Sequence, residues 1–134
     1  MKNSILILLV TLLGGISLSF TSLPSNTGRW EHLGSKKVDY KLDRDRIHVG
    51  AHDGAFDKLK IEVAGGSLNM HKMIVEYHNG TREEISIKHH FVRGDESRII
   101  DLRRGKRLIK DITFWYDSKN IQPRKAVVNV YGRH

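Results

Sequence analysis

Hydrophobic residues recur at every second position over most of the chain, which is the period of a β-strand. Six runs alternate in this way: Leu59 to Val63, Met73 to Tyr77, Ile85 to Ile87, Ile100 to Leu102, Ile112 to Tyr116 and Ala126 to Val130. Shorter candidate strands lie at Trp30 to Leu33, Val38 to Leu42 and Ile47 to Val49. Beyond the N-terminal segment no window holds a helical period, so the pattern predicts an all-β protein.

Turn-forming residues separate these runs at intervals of about ten residues. They are Gly34-Ser35, Gly50 to Gly54, Gly65-Gly66, Asn79-Gly80, Gly94-Asp95, Gly105 and Pro123. About eight or nine short strands at this spacing are typical of an antiparallel β-sandwich, and we predict a jelly-roll-like one. Its predicted core consists of apolar members of the alternating runs: Trp30, Ile61, Val63, Val75, Ile85, Ile100, Leu108, Phe114, Val128 and Val130.

The stretch VEYHNGTREEI predicts a hairpin and its register. With residues 78–80 as a three-residue loop, Glu76 pairs with Arg82 and Met73 with Ile85. A two-residue loop would instead set Glu76 against another glutamate, and like charges directly opposite each other destabilise a sheet. We therefore expect the three-residue loop.

The chain offers a second hairpin of the same kind, with a three-residue loop that ends at Gly105 in the left-handed conformation. Asp101 then faces Arg107 and Ile100 faces Leu108, whereas a two-residue loop would mix polar and core positions. Arg107 is therefore predicted to form a cross-strand ion pair rather than to contact a ligand.

The first 24 residues are predicted to be a signal peptide, which leaves residues 25–134 as a single domain. Lys2 gives a positive start, an apolar run extends from Ile5 to Leu13, and Ser17 and Ser19 have the spacing that a signal peptidase reads. An uncleaved anchor is the alternative, although the apolar stretch is shorter than the roughly twenty residues of a bilayer-spanning helix. We expect a cleaved protein without an integral membrane span, in the periplasm or outside the cell.

The predicted domain is basic, and its charge bears on its partners. Lys2 is the one charged residue of the signal segment, so cleavage lowers the formal net charge only from +8 to +7. An exported protein with this charge meets anionic lipids, acidic polysaccharides and cell-wall polymers, and it rarely meets nucleic acid. The chain has no cysteine, so its folding does not depend on disulfides.

Four residues form the candidate ligand surface: Arg103, Arg104, Lys106 and Trp115. The three basic residues project from the tip of the second predicted hairpin, where they are either a solvated turn or part of an anion-binding patch. Trp115 lies between Phe114 and Tyr116 in one strand, so it faces the opposite side. It either stacks on a sugar ring or a partner side chain, or is covered because its strand is central.

Metal binding is an alternative that the histidines and aspartates raise. His48, His52 and Asp53 lie near one loop, but strand residues four apart are about 13 Å apart, too far for one zinc ion unless the loop folds back. His89 and His90 are adjacent and face opposite sides. Four aspartates suggest a calcium site but lack the spacing of an EF-hand: Asp43, Asp45, Asp53 and Asp57. We therefore expect no metal and no cofactor.

A hydrolase is the other chemical alternative, because carboxylates occur at Glu83-Glu84 and Asp95-Glu96, and Ser97 follows. Adjacent residues of a strand face opposite sides, and nothing around Ser97 resembles a nucleophile elbow. We therefore expect no catalytic residues and no enzyme.

Residues 29–134 resemble a widespread family of short exported bacterial proteins whose function is not established. Several stretches carry the resemblance: Trp30 with Leu33-Gly34, Asp45-Arg46-Ile47, and Ser97-Arg98-Ile99-Ile100-Asp101-Leu102 followed by Gly105, Arg107 and Ile109. The resemblance implies an all-β sandwich and an envelope or extracellular location, and it implies no activity. We expect a non-enzymatic binding or structural module of the bacterial envelope with an anionic surface partner. The alternative is a metal-dependent protein or a hydrolase that uses the loop histidines and aspartates.

Overall fold

The computed structural model describes residues 28–39, 41–50, 53–117 and 125–134. The predicted signal peptide and His52 lie outside these residues. The described residues form nine β-strands, and they include no helix that is long and apolar enough to cross a membrane. The strands are β1 (Trp30–Lys37), β2 (Arg44–His48), β3 (Ala55–Phe56), β4 (Lys58–Ala64), β5 (Leu68–Tyr77), β6 (Arg82–Phe91), β7 (Ile100–Asp101), β8 (Arg107–Tyr116) and β9 (Val127–Arg133).

The strands build two antiparallel sheets, as the alternating pattern predicts. One sheet has four strands in the order β1-β9-β4-β7, and the other has five, in the order β2-β8-β5-β6 with β3 also paired to β8. Both sheets contribute to one apolar cluster, which includes Ile61 and Val130 from the first sheet and Met73 and Phe114 from the second. The fold is therefore sandwich-like, with its core between the two buried faces.

The hairpin between β5 and β6 has the predicted register. Glu76 lies opposite Arg82 and Met73 opposite Ile85. Gly80 closes the three-residue loop with a φ of +87°, a left-handed conformation that glycine adopts without strain. Local turn chemistry and charge pairing were sufficient to predict this register.

The second predicted hairpin is wrong, because β7 and β8 belong to different sheets. Asp101 lies opposite Lys58 of β4 instead of Arg107, and its Oδ1 accepts a hydrogen bond of 2.7 Å from Lys58 Nζ. Ile100 pairs with Leu59 in the same way. The loop of residues 103–106 therefore crosses from one sheet to the other. Long-range pairing with β4 replaces the local pairing that the sequence offered.

The predicted core is correct at eight of its positions, where the side chains are buried: Ile61, Val63, Val75, Ile85, Ile100, Phe114, Val128 and Val130. The prediction that Leu108 belongs to the core is wrong, because its side chain is 44% exposed. Tyr77 pairs with Ile109 although the preceding Glu76 pairs with Asp111, so β8 holds one extra residue. This bulge reverses the inward and outward positions on its N-terminal side and turns Leu108 outward.

The prediction that Trp30 belongs to the core is also wrong, because this residue is only half-buried. Its ring lies on the outer face of the four-stranded sheet, with Lys60 Nζ 4.6 Å and the Arg133 guanidinium 4.8 Å from its centroid. These two cations cover part of an aromatic surface that the alternation alone assigned to the core.

The strand predicted from Val38 to Leu42 is wrong, because none of its described residues belongs to a strand, and Tyr40 lies outside the described residues. Val38 is buried and its N–H donates to the Ala126 carbonyl over 2.9 Å, but the chain then turns, with the N–H of Leu42 donating to the Asp39 carbonyl. Leu42 is 53% exposed. The short strand β3 had no prediction, because two residues are too few to show a period.

Candidate functional site

The outer face of the five-stranded sheet is formed by residues that alternate with the core. On β8, Phe114 is buried, whereas its neighbours Thr113 and Trp115 face outward. On the adjacent β2, Arg46 lies opposite Thr113 and Arg44 opposite Trp115. Antiparallel pairing thus sets two guanidinium groups beside an aromatic ring.

A shallow depression of about 330 Å³ lies on this face, and we call it the tryptophan depression. Eight residues from four strands line it: Arg44, Arg46, Ile74, Glu76, Arg82, Asp111, Thr113 and Trp115. Arg44 and Arg46 have no ion-pair partner among the described residues. Three arginines and two carboxylates give this surface a modest positive charge together with hydrogen-bond acceptors.

Two contacts fix the side chains of this depression. Asp111 is buried, and its Oδ1 contacts Nδ1 of His48 on the neighbouring strand. Lys72, opposite Trp115 on β5, has its Nζ 4.9 Å from the centroid of the indole ring and does not line the depression. The cation therefore holds the ring from the β5 side, while Trp115 still contributes to the depression.

A second depression, of about 250 Å³, lies where the β5–β6 hairpin meets the loop between β7 and β8. We call it the arginine depression, after the four arginines among its lining residues: Tyr77, Thr81, Arg82, Glu83, Arg103, Arg104 and Arg107. Arg82 lines both depressions, so the two adjoin at this residue, although Tyr77 and Glu83 belong to the inner face of the sheet.

A chain of contacts positions Arg107. Its guanidinium carbon lies 3.8 Å from the centroid of the Tyr77 ring, and its Nη2 donates to Thr81 Oγ1 over 2.9 Å. Thr81 in turn donates from Oγ1 to Asn79 Oδ1 over 2.7 Å. Because Asn79 lies in the hairpin loop and Thr81 directly follows it, the sequence of this turn determines where the arginine lies. The predicted ion pair between Arg107 and Asp101 is therefore replaced by an aromatic and a hydroxyl contact.

Glu83 is the one carboxylate that lines the arginine depression, and it is buried. Its Oε1 accepts hydrogen bonds from the Tyr77 hydroxyl at 2.7 Å and from the Arg103 N–H at 3.1 Å. Burial, and then the bond to Glu83, raise the pKa of the Tyr77 phenol well above its usual value. Its Oε2 also lies 3.7 Å from Arg103 Nε, so Glu83 is ion-paired with one of the four arginines, and the other three guanidinium groups have no carboxylate partner among the residues that line this depression.

The loop backbone presents Arg104 in an uncommon conformation. Arg104 has a φ of +65° and the following Gly105 a φ of +77°, so two consecutive residues are left-handed. The left-handed conformation of Gly105 is as predicted. For arginine it is strained, and such strain occurs often at functional sites.

The predicted ligand residues lie in different parts of the two adjoining depressions or near them. Arg103 and Arg104 line the arginine depression, and Trp115 lines the tryptophan depression. Lys106 is exposed in the same loop and lines neither depression.

Sequence reasoning missed two arginines of β2 and one of β6. Arg44 and Arg46 alternate with the buried Asp45 and Ile47, so the strand period already contained the signal that they share a face. Arg82 was predicted only as a charge partner of Glu76. Its place between the two depressions depends on the order of the strands, which no local pattern contains.

The histidines and carboxylates that suggested metal binding lie within the described residues, apart from His52. Within the described parts of the chain, no group of three or more histidine, aspartate or glutamate side chains is arranged to hold a metal ion. His89 Nε2 lies 2.9 Å from Asp95 Oδ2, and this hydrogen bond lowers the pKa of Asp95. Asp45 is buried, with its Oδ2 2.9 Å from the Tyr116 hydroxyl.

The residues that suggested a hydrolase make contacts within the fold. Ser97 Oγ donates to the Arg98 carbonyl over 2.8 Å and accepts from the Ile61 N–H over 2.9 Å, which ties the β6–β7 connection to β4. Glu83 is buried, whereas the adjacent Glu84 is exposed and lies 3.7 Å from Lys72 Nζ.

The fold and the site together define the class of protein: a small all-β protein with two adjoining arginine-lined depressions, one of which includes a tryptophan. The chain belongs to the family described as a domain of unknown function (DUF2541), whose model matches residues 5–132. The expected membership of a family without an established function is therefore confirmed. No curated protein and no solved structure matches the chain.

Proposed function

We propose that this protein is an exported, non-enzymatic binding module of the bacterial envelope whose partner is anionic. The observation that carries the proposal is the arginine depression, where four guanidinium groups surround one buried carboxylate that is already hydrogen-bonded and ion-paired with Arg103. Export and the envelope location rest on the signal-peptide pattern of residues 1–24.

The charge balance of the arginine depression favours an anionic ligand. Like charges gathered in one concavity repel each other, and a bound anion relieves that repulsion. Guanidinium groups are planar and present paired donors, which match the two oxygens of a carboxylate or phosphate. The strained backbone of Arg104 is consistent with a residue held for binding rather than for stability.

We also infer that the sandwich is a jelly roll. Four of its antiparallel pairs are β1 with β9, β2 with β8, β4 with β7 and β5 with β6. These are the pairs that form when one long hairpin wraps around a core, first strand with last and middle strands together. The short β3 lies outside this scheme.

Arg104→Gly is the sharpest test of the proposed function, because it removes one guanidinium and also relieves the left-handed strain. We expect the variant to fold at least as stably as the wild type and to bind anionic vesicles or polygalacturonate roughly fivefold more weakly, the effect of about 1 kcal/mol per cation. Lys36→Ala is the control, since it removes one exposed cation from the other sheet.

Salt provides the second readout. Wild-type binding should weaken as the salt concentration passes about 0.15 M, where the Debye length falls to roughly 8 Å. Equal binding by the wild type, Arg104→Gly and Lys36→Ala, together with no salt dependence, would overturn the proposal. Lys106→Ala, measured alongside, reports whether the exposed loop lysine adds to binding.

A further inference from the structure

We infer that the ligand is a linear acidic polysaccharide that lies across both depressions, with a sugar ring beside Trp115 and acidic groups on the arginines. This inference rests on the proposed function and specifies its ligand. It starts from Arg82, which lines both the tryptophan depression on the outer face of the sheet and the arginine depression at the β5–β6 hairpin.

The register gives the length of this surface. Trp115 is four residues along β8 from Asp111, which is about 13 Å in a strand. Asp111, Glu76 and Arg82 form one row across β8, β5 and β6, so Arg82 lies two strand spacings, about 10 Å, to the side. The path from Trp115 to Arg82 is therefore about 16 Å, and Arg107 of the arginine depression lies four residues beyond Asp111 on β8. A free phosphate or a single sugar is too short to contact both ends.

The lining distinguishes a polysaccharide from a polyphosphate. The tryptophan depression holds two carboxylates, Glu76 and Asp111, and the hydroxyl of Thr113 beside its arginines. Carboxylates repel a ligand with a charge on every unit, but they accept hydrogen bonds from sugar hydroxyls. The apolar face of a sugar ring also suits the indole of Trp115 and the side chain of Ile74.

The same lining disfavours a membrane surface as the partner. Trp115 is half-buried and lies among neighbours that line the same depression, whereas insertion into a bilayer needs apolar side chains that project from the surface. An extended polymer can enter the depression and contact the residues that line it, whereas the flat headgroup layer of a membrane contacts only its rim.

Isothermal titration with galacturonic acid oligomers tests the inference through its dependence on length. We expect the hexamer to bind at least about tenfold more tightly than the dimer, because only the longer chain reaches both depressions. Trp115→Ala should remove most of this gain, and Arg104→Gly should weaken all lengths. Trp115→Phe, which keeps an aromatic ring, should restore part of the gain and shows that the site is still folded.

Trp30→Ala is the matched control, since it removes a tryptophan from the outer face of the other sheet and should leave the length dependence intact. Binding to phosphatidylglycerol vesicles without binding to any oligomer would overturn the polysaccharide and leave the proposed function standing. Affinity that is independent of length, or of Trp115, would do the same. Failure of every anionic probe to bind would overturn both.

Discussion

The guanidinium carbon of Arg107, at the start of β8, lies 3.8 Å from the centroid of the Tyr77 ring, at the end of β5. The contact lies next to the place where β8 carries its extra residue and regular pairing between the two strands is interrupted. It also places the Arg107 guanidinium where it donates a hydrogen bond to Thr81, which directly follows the adjacent hairpin loop. One side chain thus joins the end of the strand pair to the arginine depression.

Removing Arg107 should therefore destabilise the fold. Arg107→Ala loses a cation–π contact of about 0.5–1 kcal/mol and a hydrogen bond of similar net value, so we expect a loss of about 1–2 kcal/mol in the free energy of unfolding. Asp101→Ala should cost less than about 1 kcal/mol, because its pair with Lys58 is exposed. Urea titration of both variants and of the double variant should give additive losses. Coupling between the two residues would instead support the hairpin that the sequence suggested.

The two hairpin predictions began from similar patterns and had opposite outcomes. At residues 78–80 the neighbouring strands are long, and their charges and apolar residues agree on one register. At residues 103–105 the preceding strand, β7, has only two residues. A local pairing between β7 and β8 would therefore be weak, and β7 pairs with β4 instead. Local sequence determines which residues turn, whereas the choice of partner strand depends on the whole core.

Two glycines should respond differently to substitution. Gly105 has a φ of +77° and open space where a Cβ would lie, so Gly105→Ala should cost about 1 kcal/mol through backbone strain alone. At Gly132 a Cβ would lie 2.8 Å from Phe56 Cδ1 and 2.9 Å from Leu33 Cδ1, so Gly132→Ala should cost about 1–3 kcal/mol through crowding.

Asparagine separates these two mechanisms. It tolerates the left-handed region, so Gly105→Asn should be more stable than Gly105→Ala, whereas Gly132→Asn should be less stable than Gly132→Ala. Thermal or urea unfolding of the four variants measures the order. The same order at both positions would show that one of the two causes is misassigned.

The bulge in β8 gives a prediction for two apolar residues on that strand. Phe114 is 1% exposed and Leu108 is 44% exposed. Phe114→Ala should therefore cost about 3–5 kcal/mol, whereas Leu108→Ala should cost less than about 1 kcal/mol. Similar losses at both positions, measured by urea unfolding, would mean that Leu108 faces the core and that β8 runs without its extra residue.

The candidate site could be predicted only in part from the sequence. The basic loop and the outward-facing Trp115 were visible in the pattern, because each depends on neighbours in the chain. Their union into one surface depends on Arg82, which reaches both depressions from β6. No local pattern could predict this, since β6 meets the loop after β7 only through the strand order of the two sheets.

Export predicts a specific N-terminus for the mature protein. The small residues after the apolar run place cleavage between about Ser19 and Ser25. Mass spectrometry of the protein recovered from bacteria should find its first residue in that window. Recovery of the chain in a membrane fraction with Met1 still present would identify an uncleaved anchor instead.

Two buried phenols should make the fold sensitive to alkaline pH. The Tyr77 hydroxyl donates to Glu83, and the Tyr116 hydroxyl lies 2.6 Å from the Asp39 carbonyl oxygen and 2.9 Å from Asp45 Oδ2. Burial, followed by the neighbouring carboxylate, raises the pKa of each phenol above its usual value. Each neutral phenol therefore contributes stability that is fully present below the unfolded pKa of about 10 and is lost as the pH rises toward the folded pKa.

Phenylalanine at both positions should remove this sensitivity. Above pH 10 each tyrosine lowers the unfolding free energy of the wild type by about 1.4 kcal/mol per pH unit, because the unfolded state loses a proton that the folded state keeps. The double variant Tyr77→Phe with Tyr116→Phe should start less stable at pH 7, having lost both hydrogen bonds, and should then fall less steeply between pH 10 and 11. Urea titrations across this range measure how steeply the free energy of unfolding falls with pH. Lysines also titrate here, but they contribute equally to both proteins and do not affect the comparison. Parallel slopes would mean that the two phenols ionise as readily in the folded state as in the unfolded one.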